Sequence, residues 1–311
     1  MSFISKNLLI HDHSHVRRPP GSYIPAGPLS NLAQNKQPMR TIVAPVNFSP
    51  NSTNAARYAA DLALVARADL HLYYVLELPV SVAEFPVNDY IFNEMQDAGA
   101  ESLKQLWEEL VKRTGAKVNI FTHIEVGSVE YKIEEFCRQK APFVVVMGAS
   151  GSSLERVLTG SNLGAAIHHL PYPLIVVPEN AVFRQIRKVV LACDLSDMAA
   201  GIPVKPSFLR ELKEIFNSTF EVVNINSRGQ QANTNSIMEV EAWKECVRGI
   251  FPEVHFVQTD KVEDGIGQYL EEHHADLLLV FPKKHNFFEF HKSHAKKIAR
   301  TSTVPIMSIH A

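Results

Sequence analysis

Cysteine is scarce: Cys137, Cys193 and Cys246 are the three in the chain, far apart and in no CxxC pair. That excludes a disulfide framework and gives no thiolate zinc cage, and scattered thiols fit a reducing, cytoplasmic setting. Neither charge dominates, with 31 Lys+Arg against 33 Asp+Glu. Such a balance argues against bulk electrostatic binding of nucleic acid or of anionic membrane. No apolar run approaches the about 20 residues that a membrane span needs. An HExxH motif, a Walker lysine and a Ser-His-Asp order are missing too, so nothing announces a hydrolytic enzyme.

What is present suits a globular α/β protein. The chain has 311 residues, 46% of them apolar, enough for two ordinary domains. Residues 1–38 differ from the rest. "HDHSHVRRPPGSYIPAGPLSNLAQNKQP" is rich in Pro, His and polar residues and has no periodicity, so it reads as a disordered leader. His11, His13 and His15 within it are a weak metal candidate, and a floppy tail is the preferred reading.

From Met39 strand-like and helix-like pieces alternate. "RTIVAPV" is a buried-strand run, "NFSPNS" a turn, and "TNAARYAADLALVARA" a helix that Ser52 can cap. "DLHLYYVLEL" reads as the second strand. Leu103, Leu106, Trp107, Leu110 and Val111 then line one face of a long helix, with Gly115 as its C-terminal cap. "KVNIFTHIEV" is the third strand, and Val129, Ile133, Phe136 and Cys137 mark the inner face of a third helix. "PFVVVMG" is a fourth strand, continuous in apolar residues as strands buried on both faces are. "SNLGAAIHHL" is a short helix and "YPLIVVP" the fifth strand. Alternation of this kind means a mainly parallel sheet with helices on both faces.

The pattern then restarts. "RTIVAPVNFSPNS" is echoed by "RKVVLACDLSDMA", so that Asn47 and Ser49 align at one constant offset with Asp194 and Ser196. "LHLYYVLE" is echoed by "FEVVNINS", "APFVVVMGAS" by "ADLLLVFPKK", and "YPLIVVP" by "VPIMSIH". The expected architecture is two tandem doubly wound, Rossmann-like domains, 39–180 and 186–311, each with a five-stranded sheet.

In such sheets ligands sit outside the carboxyl ends of the strands. Two loops lie there: "NFSPNS", and "MGASGSSLERVLTGSN" after the fourth strand. In the second, Gly148, Gly151 and Gly160 permit close approach of backbone to a phosphate. Ser161 and Asn162 open a helix whose free N–H groups favour an anion, and Ser150, Ser152 and Ser161 supply hydroxyls. The same loop also reads as a plain glycine-rich turn between strand and helix.

These features resemble the universal stress protein family, as a tandem two-domain member. "IVAPVNFSPNS", "MGASG…GSN" and "PYPLIVVP" carry the resemblance, which runs from Met39 to the end. Nucleotide-binding members have Gly-x2-Gly-x9-Gly followed by Ser or Thr. Gly148, Gly151, Gly160 and Ser161 match, with eight residues between Gly151 and Gly160 in place of nine. Asn47 stands where the family usually has Asp. The resemblance implies ATP or a related adenine nucleotide in the first domain, held by Pro45, Asn47, Ser49, Val75, Gly148, Ser150, Gly151, Gly160, Ser161 and Asn162. It implies no catalytic residue, slow ATP hydrolysis at most, and a homodimer or a protein partner. The alternative is a stress-related scaffold that binds no nucleotide.

The second half lacks the glycine loop. "PKKHNFFEFHKSHAKKIAR" stands in its place, with Lys283, Lys284, Lys292, Lys296, Lys297 and Arg300 as a local basic cluster. A solvated helix face is the preferred reading of that cluster. His285, His291 and His294 lack a supporting cysteine or acidic cluster nearby in sequence, so no metal site is expected.

Overall fold

A computed structural model describes residues 39–77, 89–149, 170–192, 205–226, 249–250, 253–259, 262–280 and 304–309. The expected leader, the helix after the glycine loop and the basic segment lie outside the described residues.

β1 (Arg40–Val46) leads through a tight turn into α1 (Pro50–Ala66) and then β2 (Ala68–Leu76). α2 (Asp89–Thr114), β3 (Ile120–Val126), α3 (Val129–Lys140), β4 (Val144–Gly148) and β5 (Leu174–Val177) follow. The later half contributes β6 (Lys188–Ala192), α4 (Pro206–Phe216), β7 (Thr219–Asn226) and β8 (Glu253–Gln258). It ends with α5 (Val262–Glu272), β9 (Leu277–Val280) and β10 (Ile306–Ser308).

All ten strands form one sheet, ordered β3-β2-β1-β4-β5-β10-β9-β6-β7-β8. Strands β1 to β5 pair in parallel, as do β6 to β10. The seam between the sets is antiparallel, with Ile175 opposite Met307. Strand order runs outward from the seam in the same way on both sides, so the α/β doubly wound architecture read from the sequence holds in both halves.

Side-chain alternation along each strand divides the interior. One face of the sheet packs against α1, α2 and α4 in a core that crosses the seam. It includes Ile42, Leu72 and Val146 from the first half and Leu191, Phe220 and Met307 from the second. On the opposite face α3 covers Val43, Tyr73 and Val145, and α5 covers Val190, Val223 and Leu278.

α1 lies close to the sheet because its inner face is built largely of alanine: Ala55, Ala56, Ala59, Ala60 and Ala63 are buried. Burying such small side chains adds little rotamer entropy and lets backbones approach. In α2, Leu103, Leu106 and Leu110 are buried and Trp107 packs against them, as the periodicity predicts. Gly115 adopts φ 59° just after that helix, the left-handed turn expected of its cap. In α3, Ile133, Phe136 and Cys137 are buried.

Contacts across the two halves are specific. Arg40 Nε donates to Glu211 Oε1 at 2.7 Å. The segment that joins the halves is tied back to α1, where Asn54 Nδ2 donates to the carbonyls of Pro178, Glu179 and Ala181 at 3.3, 3.1 and 2.9 Å. The Tyr58 and Phe183 rings meet edge to face, and Phe143 contacts Phe208.

Candidate functional site at the carboxyl ends of β1 and β4

β1 and β4 are neighbours, yet the chain leaves them in opposite directions, toward β2 and toward β5. The gap beyond their carboxyl ends is the topological switch point of the first half, where open α/β sheets take ligands. The first predicted site loop and the start of the second, Met147 to Ala149, meet there.

The first is "NFSPNS". Phe48 adopts φ 61°, which turns the chain sharply after the strand. Asn47 Oδ1 accepts from the Ser49 backbone N at 3.2 Å and from Ser49 Oγ at 2.7 Å. The N-cap of α1 is Ser49, not Ser52 as the sequence suggested: its Oγ accepts from Ser52 N at 3.3 Å, and Pro50 follows as the first helical residue. Proline at that place has no N–H to leave unpaired and a ready-made φ, so the helix starts three residues earlier. Ser52 instead closes the turn, its hydroxyl donating to Ser49 O at 3.1 Å while accepting from Asn47 N at 3.3 Å. The Phe48 ring rests on Tyr74 at 4.8 Å between centroids.

The second is the end of β4. A Cβ built on Gly148 would lie 2.3 Å from the Asn51 carbonyl oxygen and 3.0 Å from Ser52 N. Glycine is thus required here by the first turn of α1, whatever binds beyond. Ala149 N donates to Val177 O at 2.8 Å, which ties the exit of β4 to β5. At the same junction Asn51 Oδ1 is buried and has no hydrogen-bond partner among the described residues. Sequence reasoning passed over Asn51, because it was read as one more polar residue of the turn, whereas α1 already begins at Pro50.

Pro45 is buried within β1. Val75 is buried in the core under α3, beside Tyr73 and Val145. Ser150, Gly151, Gly160, Ser161 and Asn162 lie outside the described residues, as do Asp194 and Ser196. The structure therefore brings Asn47, Ser49 and Gly148 together around the α1 N-terminus, with Pro45 and Val75 in the strands below. None of these five has an ionisable side chain, so the described part offers hydrogen bonds and the positive end of a helix, not acid–base chemistry.

Residues 38–178 match the universal stress protein family. The chain is 28% identical over 154 residues, 48% of its length, to a universal stress protein of Methanocaldococcus jannaschii, covering 88% of that relative. The crystal structure of a universal stress protein from Archaeoglobus fulgidus superposes with a TM-score of 0.65 at 17% identity. That superposition covers 87% of this chain and 98% of the other. A putative universal stress protein from Pseudomonas aeruginosa UCBPP-PA14 gives a TM-score of 0.53 at 11% identity, covering 88% and 94%. At those identities the structural likeness speaks for the fold alone. Among the described residues no helix is long and apolar enough to cross a membrane.

Proposed function

We propose that the chain is a tandem universal stress protein, with units 39–180 and 186–311, acting as a stress-response regulator that binds ATP or a related adenine nucleotide in the first unit. One observation carries this reading. The turn after β1 and the glycine that ends β4 converge on the N-terminus of α1 at the switch point of the sheet. Glycines let backbone come close to a phosphate, and Gly151 and Gly160, followed by Ser161, continue the same loop in sequence. Asn51 Oδ1, without a partner among the described residues, adds a place for a ligand donor.

A second reading is a scaffold without nucleotide, and the turn itself favours it. Asn47 Oδ1 and the Ser49 hydroxyl already satisfy each other and the helix cap. Native mass spectrometry of the full chain decides. Nucleotide binding gives one adenylate per chain, and Gly160→Val removes it. Absence of any adenylate mass at millimolar ATP selects the scaffold.

A further inference from the structure

The two halves carry matching polar clusters under their outer helices, and the clusters differ in charge. His71 on β2 sits opposite Val43 of β1, and Glu221 on β7 sits opposite Val190 of β6. His123 on β3 and His255 on β8 occupy the neighbouring strands. From above, α3 brings Phe136 and Lys140, and α5 brings Tyr269 and His273 at the same spacing.

In the second half the half-buried acid is fully engaged. Glu221 accepts from Lys188 Nζ at 2.9 Å and from the Tyr269 hydroxyl at 3.0 Å, and His273 Nδ1 lies 3.1 Å away. Against the upward push of its burial, Lys188 and Tyr269 hold the Glu221 carboxyl below its ordinary value. In the first half no acid takes that place. His71 Nδ1 and His123 Nε2 lie 2.8 Å apart, so one neutral ring donates to the other. The pair is enclosed by rings: Phe121 stacks on His71 at 4.8 Å, and Phe136 of α3 covers His123 at 4.7 Å and His71 at 5.8 Å.

We propose that the His71–His123 pair makes α3 an acid-released latch: a proton on either imidazole loosens Val129–Lys140 from the sheet, while α5 stays docked. His71 is buried, and Lys140 already places a cation 5.7 Å over the Phe136 ring. The carboxylates on this face are committed elsewhere. Asp69 accepts from Asn119 at 2.9 Å, and Glu125 is paired with Lys132, which also holds Glu135. Tyr73 spends its hydroxyl on the Lys132 carbonyl at 3.1 Å, and burial keeps both it and the Cys137 thiol protonated. β1 and β4 add the uncharged Val43, Val145 and Met147 to this core. A second proton turns both facing nitrogens into donors and ends the bond between the rings.

Burial, then the charge of the other ring and of Lys140, lowers His71 to about 3; burial and Lys140 lower His123 to about 4. A helix that has lifted away lets both rings take protons near the ordinary value of about 6.5. Docking of α3 is therefore complete above that pH and is lost progressively as pH falls toward about 4. Between pH 7 and 5 each imidazole shifts the balance toward the open form on the order of 20-fold.

Hydrogen exchange of the full chain at pH 7 and pH 5, corrected for intrinsic rates, tests the latch. Opening of Val129–Lys140 is expected to rise at least tenfold at pH 5 relative to Val262–Glu272. A His71→Phe, His123→Phe double variant keeps the rings but takes no proton, and it should abolish that rise. Unchanged exchange in α3, an equal rise in α5, or a rise that survives in the folded variant overturns the proposal. Should the variant fail to fold, the imidazole proton resonances of the wild-type chain decide. Absence of titration above pH 5 in the docked form supports the latch, and ordinary titration near pH 6.5 overturns it.

Discussion

At the scale of single residues, Gly148 shows how one position answers two demands. The sequence marks it as the first glycine of a phosphate loop. The structure adds a separate demand, because the Asn51 carbonyl stands where a Cβ would go. Gly148→Ala should cost about 2 kcal/mol or more, since backbone cannot yield as a flexible side-chain tip can. Urea unfolding should show a lower midpoint at unchanged slope, with or without nucleotide present. A loss seen only in nucleotide affinity would contradict this packing role. The polar turn was only partly legible. Asn47 and Ser49 stood out by their place after the first strand, but which serine caps the helix was decided by Pro50. The His71–His123 pair left no mark in the sequence. Its two members lie on different strands, and only the register of β2 against β3 unites them.

At the scale of elements, strands buried on both faces were legible because their apolar runs are continuous and sharply bounded. β8 and α5 were not singled out. β8, "EVHFVQ", is an edge strand with Phe256 half exposed, so its composition alternates weakly. α1 was read as a helix from its alanines, but what those alanines do emerges only in three dimensions: they set the distance from helix to sheet. Ala59→Leu forces extra volume into that contact and should destabilise the chain by about 1–3 kcal/mol. Leu64→Ala, on the exposed side of the same helix, should change stability by about 0.5 kcal/mol or less. Thermal unfolding of the two variants side by side checks the contrast. Equal effects would mean that α1 does not hold the sheet through its small face.

At the scale of the whole molecule, the repeat legible in the sequence becomes one ten-stranded sheet rather than two separate bodies. Repeats predict two similar folds but carry no instruction about the seam. That depends on short terminal strands, β5 and β10, finding each other in antiparallel register. Because the core crosses the seam, a proteolytic cut between residues 179 and 187 should not release the pieces. They should co-elute at the size of the intact chain in size-exclusion chromatography and part only in denaturant. Separate elution in plain buffer would show that the continuous core contributes little to holding the halves together.

The antiparallel seam also gives the molecule two poles. The strands of the first half end toward one rim of the sheet, and those of the second half end toward the opposite rim. A ligand at the α1 end of the first half therefore faces away from the matching rim of the second. Two partners, one recognising each rim, can sit on the same chain without touching, and any message between them has to pass through the shared sheet.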